Sequence, residues 1–166
     1  TLLRKEALGR AARCAGYVDF DVEGAFAVFF IARNAVEPFA EVRPALEQLA
    51  RRYALASLSN GNADLRLIGL DDLFTFSLNA IDVGAAKPDP LMFEEARRRL
   101  AVPPEQIVHV GDDPEHDVRG AAQAGFRTVW VNRTGRVWPG GARADAEVSH
   151  LAELEAVLTA WERGVG

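Results

Sequence analysis

The chain has 166 residues, 49% of them hydrophobic and 26% charged, enough apolar material for a buried core and too much for a disordered segment. Its net charge of -5 and pI near 5.2 argue against a nucleic-acid surface. One cysteine, Cys14, excludes an internal disulfide and any multi-cysteine metal site, and the apolar run Ala25–Ala32 is too short to span a bilayer, so the expected setting is the cytoplasm, away from membranes.

In chain order, Leu2 to Ala15 is rich in helix formers and stops at Gly16, which predicts a helix. Ala25 to Val36 is apolar round most of its circumference, with Phe26, Phe29 and Phe30 prominent, and predicts a second, well-buried helix for which Asp21 reads as a cap or first-turn acid. Glu41 to Tyr53 places Val42, Leu46, Leu49 and Ala50 at helical spacing. From there short apolar runs alternate with helical patterns. Strands are predicted at Ala54 to Ser59, Phe74 to Leu78, Ile107 to Val110 and Arg127 to Val131. Helices are predicted at Ala63 to Gly69, Leu91 to Leu100, Val118 to Ala124 and Leu151 to Trp161, with Pro90 opening the second and Gly125 stopping the third. Alternation at this spacing means an α/β fold, a Rossmann-like doubly wound parallel sheet. Arg97, Arg98 and Arg99 read as a solvated helix face.

Polar chemistry gathers at three predicted strand ends: Ser59 and Asn60 after the first, Lys87 after the second, and Asp112, Asp113 and Asp117 after the third. In a parallel sheet these ends share one edge, where open α/β sheets build their sites. A hydroxyl and a loop amide can hold phosphoryl oxygens, an ammonium can neutralise them, and clustered carboxylates call for a hard cation, most simply Mg²⁺. Taken singly, each has a plainer role: Ser59 a turn former, Lys87 a surface lysine, Asp112 or Asp113 a helix cap. His109 reads as a core-edge histidine, His116 as a solvent-exposed neighbour of the acids, and Trp130 and Trp138 as packing residues.

Three motifs in this order, Leu-Ser-Asn-Gly at 58–61, Ala-Lys-Pro-Asp-Pro at 86–90 and Gly-Asp-Asp-x-x-x-Asp at 111–117 followed by Gly120-Ala121-Ala122-Gln123-Ala124-Gly125, resemble the haloacid dehalogenase superfamily of hydrolases. The resemblance covers roughly Val36 to Val131. It implies that Ser59 and the Asn60 amide hold a phosphoryl group, that Lys87 balances charge beside it, and that Asp112 binds Mg²⁺ with Asp117 orienting it, Asp113 being ambiguous. The implied substrate is a small phosphorylated metabolite. On this reading Lys87 points at the phosphate position, and Lys87→Met would cost turnover with little change in melting temperature.

The family's first motif, Asp-x-Asp after an apolar strand, supplies a nucleophile and a general acid, and it has no convincing copy here. Asp19-Phe20-Asp21 has the letters without the strand, since only Tyr17 and Val18 precede it. Residues 1–36 are therefore expected to be the end of an inserted helical cap, and residues 37–166 a core lacking its first, central strand. The expected activity is Mg²⁺-dependent hydrolysis of a phosphate monoester through an aspartyl-phosphate, with the nucleophile outside these residues and the chain alone inactive. Two alternatives stand beside it. One is a metal-independent 2-haloacid dehalogenase, whose branch lacks the Gly-Asp-Asp carboxylates. The other is a phosphate-sensing or inactive relative.

Overall fold

The computed structural model describes residues 2–61 and 63–164. Its helices are α1 (Leu2–Cys14), α2 (Val22–Asn34), α3 (Val42–Ala50), α4 (Leu65–Ile68), α5 (Ala80–Val83), α6 (Pro90–Leu100), α7 (Gly120–Gln123) and α8 (Leu154–Glu162). Its strands are β1 (Ala56–Ser59), β2 (Phe76–Asn79), β3 (Val108–Gly111), β4 (Arg127–Val131) and β5 (Ala146–Val148). They form two compact units, Thr1–Pro38 with Asn62–Asp71 and Phe39–Gly61 with Asp72–Gly166. No helix among the described residues is long and apolar enough to cross a membrane.

In the first unit α1 and α2 pack where α1 is small. Gly9 and Ala12 are its buried residues, and a Cβ on Gly9 would meet Val22 Cγ2 at 3.3 Å. Helix α2 starts where the sequence places its cap: the Asp21 carboxylate accepts the Gly24 N–H at 2.9 Å. The expectation that α2 is well buried is corrected. Its one fully buried residue is Asn34, and Val28, Phe29 and Ile31 are exposed, because α1 covers a single stripe of a helix that is apolar nearly all round. Asn34 earns its burial by hydrogen bonding: its amide donates to the Phe30 carbonyl at 2.8 Å and its oxygen accepts the Asp64 N–H at 2.7 Å. Asp21→Ala removes the α2 cap and is expected to cost about 1 kcal/mol, read as a lower midpoint in urea denaturation.

In the second unit every strand pairing is parallel. β1 pairs with β2, and β4 lies between β3 and β5. The sequence reading expects a core without its central strand; among the described residues the strands form two sheets, and none joins β1 to β3. β5 went unread because three residues inside a Gly- and Arg-rich loop give no periodicity. It is held by buried polar anchors: the Asp145 carboxylate accepts the Thr128 N–H at 2.7 Å and its hydroxyl at 2.9 Å, and the Asn132 amide donates to Glu147 at 2.6 Å.

Apolar clusters seal the two faces. Leu49 of α3 and Leu154 at the start of α8 meet Val129, Val131 and Val148, while Phe93 of α6 meets Ile107, Ala121 and Phe126. The alternation of β3 divides between them, with Val108 and Val110 packed against the first cluster and Ile107 in the second. Helix α6 has Pro90 in its first turn and Asp89 as cap, accepting the Leu91 N–H at 2.9 Å.

Candidate active site

β1 ends at Ser59, and its hydroxyl oxygen accepts the Gly61 N–H at 3.0 Å. That is the turn-forming role open to any serine there. It leaves the hydroxyl proton free to donate to a ligand. Asn60 does more than offer an amide. Its side chain brackets the Lys87 peptide, the Nδ2 donating to the Lys87 carbonyl at 2.8 Å and the Oδ1 accepting the Lys87 N–H at 2.6 Å. The loop after β1 therefore fixes the backbone that carries the ammonium.

The Lys87 side chain is 12% exposed, and its Nζ donates to the Leu58 carbonyl at 2.8 Å and to Asp117 Oδ1 at 2.6 Å. A surface lysine is thereby excluded. Asp117 is 5% exposed and fully engaged: Oδ1 also meets His109 Nε2 at 3.1 Å, and Oδ2 accepts the Asp113 N–H at 3.1 Å. Burial opposes its ionisation, but the His109 hydrogen bond and the Lys87 ammonium outweigh that and hold the carboxyl well below the usual carboxylate range. The pair is nearly nine-tenths buried on both sides, so an effect of Lys87→Met confined to turnover is no longer expected.

Glycine is required at 111. A Cβ there would fall 2.3 Å from Asp117 Cγ, so only the bare backbone lets β3 end against the buried carboxylate. Gly111→Ala is expected to lower stability by about 1–3 kcal/mol through overpacking, measured as a lower melting temperature, and to shift the backbone amide signals of Asp113 and Asp117.

The other two acids part company. Asp113 caps the turn that follows, its Oδ1 accepting from Glu115 N at 2.9 Å and His116 N at 2.8 Å, with His116 Nδ1 3.0 Å away. Those backbone hydrogen bonds, the one to His116 foremost, hold its carboxyl below the ordinary value. The turn is wide, with Val118 N donating to Asp113 O at 3.2 Å, five residues back, a π geometry that carries Asp117 inward. The Asp112 carboxylate is exposed and makes no hydrogen bond or ion pair among the described residues. Its backbone is pinned: Trp130 Nε1 donates to the Asp112 carbonyl at 3.1 Å and Arg136 Nη2 at 2.6 Å. Among the described residues no three His, Cys, Asp or Glu side chains converge into a group that could hold a metal.

The structure thus gathers Ser59, Asn60, Lys87 and Asp117 on one edge, with Asp112 and Asp113 in the loop leaving β3. Sequence reasoning missed three contributors. His109 contacts Asp117 and not only the core, where its ring meets Phe93 edge-on at 5.4 Å. Its place two residues before Gly111 was a usable signal, because Asp117 turns back toward that strand. Trp130 and Arg136 had no such signal, since their contacts with the Asp112 carbonyl depend on how the loop after β4 closes.

A family model for haloacid dehalogenase-like hydrolases matches residues 2–125. The chain is 34% identical over 130 residues to the 5-amino-6-(5-phospho-D-ribitylamino)uracil phosphatase YigB of Escherichia coli, covering 76% of this chain and 55% of that protein. It is 41% identical over 132 residues to a phosphoserine phosphatase of Thermus thermophilus, covering 76% and 53%. A solved 2-haloacid dehalogenase from Pseudomonas syringae pv. Tomato superposes with a TM-score of 0.91 at 44% identity, over 96% of this chain and 71% of that one. The chain spans about half the length of the curated relatives it matches. With that match over its strand-end motifs, and with Lys87 paired to Asp117 and bracketed by the loop that follows Ser59, the chain belongs to the haloacid dehalogenase-like hydrolases.

Proposed function

We propose that this chain carries the phosphate-binding and charge-balancing half of a Mg²⁺-dependent phosphatase acting on a small phosphorylated metabolite in the cytoplasm. The observation that carries the reading is the division of labour among the acids after β3. Asp117 is buried against Lys87, while Asp112 is a free carboxylate on a pinned backbone. Mg²⁺ is held through one or two carboxylates and keeps several waters, so the free Asp112 carboxylate is a fitting donor, while Asp117, its oxygens taken by Lys87, His109 and the Asp113 N–H, anchors the loop that presents it. Bound there, the cation would offset charge on the phosphoryl oxygens. Asp113 serves as the cap that sets the turn.

The Ser59 hydroxyl and the Asn60 N–H would hold the phosphoryl oxygens, and the Lys87 ammonium would face the charge that builds as a carboxylate nucleophile approaches a phosphoryl dianion. That nucleophile is assigned to an aspartate outside residues 1–166. Its oxygen forms the new bond to phosphorus as the ester oxygen leaves and is protonated by a general acid. Water then cleaves the acyl phosphate to inorganic phosphate and the free carboxylate. Residues 1–36 would belong to a helical cap and residues 37–166 to the core. A second reading, 2-haloacid dehalogenation without metal, is favoured by the 44% identity to the Pseudomonas syringae enzyme. The full-length enzyme, assayed on p-nitrophenyl phosphate and on 2-chloropropionate with and without EDTA, separates them. EDTA-sensitive phosphate release supports the proposal; chloride release that EDTA leaves untouched overturns it.

A further inference from the structure

The loop after β4 uses a buried side chain to place one exposed guanidinium. Asn132 is buried, and it grips the Arg136 peptide on both sides, its Oδ1 accepting the Arg136 N–H at 2.8 Å and its Nδ2 donating to the Arg136 carbonyl at 2.9 Å. Asn60 holds the Lys87 peptide in the same two-handed way. The two cations so placed differ in one respect. The Lys87 ammonium is balanced by Asp117, whereas the Arg136 guanidinium has no carboxylate partner among the described residues. Its side-chain hydrogen bond, from Nη2 to the Asp112 carbonyl at 2.6 Å, goes to a group that Trp130 Nε1 already serves, and it leaves most of the guanidinium N–H donors unused.

Arg136 borders a cavity of about 590 Å³, a size suited to a small ligand, whose lining includes the apolar Val110, Val131 and Leu151 and the charged Asp112 and Arg133. Arg133 is already engaged: its Nη2 lies 2.5 Å from Glu41 and its Cζ 4.0 Å from the Phe39 ring centroid. With Arg133 balanced by Glu41, and with Asp112 the proposed cation ligand, Arg136 is the charge in this lining left to recognise a ligand.

We infer that this cavity is a carboxylate subsite, in which Arg136 binds a carboxylate on the same small molecule that presents its phosphoryl group to Ser59 and Lys87. The substrate class is then a phosphate ester of a short-chain carboxylic acid, its carbon chain lying on the apolar lining. The phosphoryl group rests on the phosphatase reading; the subsite rests on Arg136. A carboxylate fits better than a second phosphate, because one guanidinium carries one positive charge and a phosphoryl dianion would need another cation, which Glu41 withholds. The planar fork of arginine also matches a carboxylate with two parallel hydrogen bonds. The Asp112 carboxylate shares the lining and would repel a second acid, so binding is to be measured with Mg²⁺ present.

Non-hydrolysable phosphonates isolate the group: 3-phosphonopropionate, propylphosphonate with a methyl in place of the carboxylate, and ethane-1,2-diphosphonate with a second phosphonate there. Each is titrated calorimetrically into the full-length enzyme. 3-Phosphonopropionate should bind at least about tenfold more tightly than propylphosphonate, the discrimination that a hydrogen bond between charged groups supplies. Arg136→Met should bring that ratio close to one, and Arg136→Lys, which keeps the charge without the fork, should leave it in between. A role confined to pinning the Asp112 carbonyl makes a different prediction, since both ligands would weaken together and the ratio would persist. That persistence overturns the subsite. So does equal affinity for the first two ligands in the unsubstituted enzyme, a comparison that needs no variant to fold, and so does tighter binding of the diphosphonate. Hydrolysis of p-nitrophenyl phosphate, which has no carboxylate, tests the phosphatase reading separately. The preference without phosphate release keeps the subsite and ends that reading; EDTA-sensitive release without the preference does the reverse.

Discussion

Lys87→Met is expected to destabilise the second unit by about 3–5 kcal/mol, because it leaves the carboxylate of Asp117 buried without its ammonium. Asp117 retains His109 and the Asp113 N–H, so the loss should not exceed that range. Its pH dependence identifies the cause. The folded carboxyl is held below its ordinary value, so the pair's contribution is fully present above the unfolded value near pH 4 and is lost as pH falls through the folded one. In the variant burial acts unopposed by lysine, and Asp117 takes its proton at a higher pH. The stability gap between the two proteins should therefore be widest near pH 7 and close as the medium is acidified, a trend that urea titrations at several pH values would trace. A gap independent of pH would assign the loss to packing. Phosphatase turnover of the full-length enzyme should fall by roughly 10²–10³-fold even where the variant is folded, as for other lost electrostatic groups at developing charge.

Asp112→Asn should give the reverse pattern. The carboxylate it replaces is exposed and unpartnered among the described residues, and the backbone hydrogen bonds from Trp130 and Arg136 go to the carbonyl, which the substitution keeps. Stability should stay within about 0.5 kcal/mol of the parent. Mg²⁺-dependent hydrolysis by the full-length enzyme should drop by roughly 10²–10³-fold. The same enzyme's Mg²⁺ affinity, followed calorimetrically, should weaken in parallel. Full activity in Asp112→Asn would remove the metal from the proposal, and chloride release from 2-chloropropionate by the variant would move the chain to the dehalogenase reading.

The alternation of strand and helix was legible because each strand of the second unit is a short run closed by a polar or glycine residue, and Ser59, Lys87 and Asp117 stood out because their polar groups recur at the ends of successive strands. What escaped was whatever depends on closure. The sequence gives Asn60 a role only through its backbone amide; its side chain has none until the Lys87 peptide lies between its oxygen and nitrogen. Three aspartates within residues 111–117 look equivalent in sequence, and only the wide turn capped by Asp113 sends Asp117 inward and leaves Asp112 outside. The apolar circumference of α2 misled in the opposite direction. Hydrophobicity measures what a helix could bury, and α1 supplies cover for one stripe of it.

The Asn60 bracket has a further consequence, for the tolerance of the chain to change in length. Lys87 sits after a segment that leaves β2 through α5 and Gly84, whose φ of +77° marks a sharp change of direction. Were that segment alone responsible for placing the ammonium, each inserted or deleted residue would displace it. Because two hydrogen bonds from the neighbouring loop seize the Lys87 peptide on both its N–H and its C=O, the stretch between Gly84 and Ala86 is relieved of that duty and can vary in length as a slack tether. The register of the charge is thereby written in the loop after β1, next to the hydroxyl it must accompany.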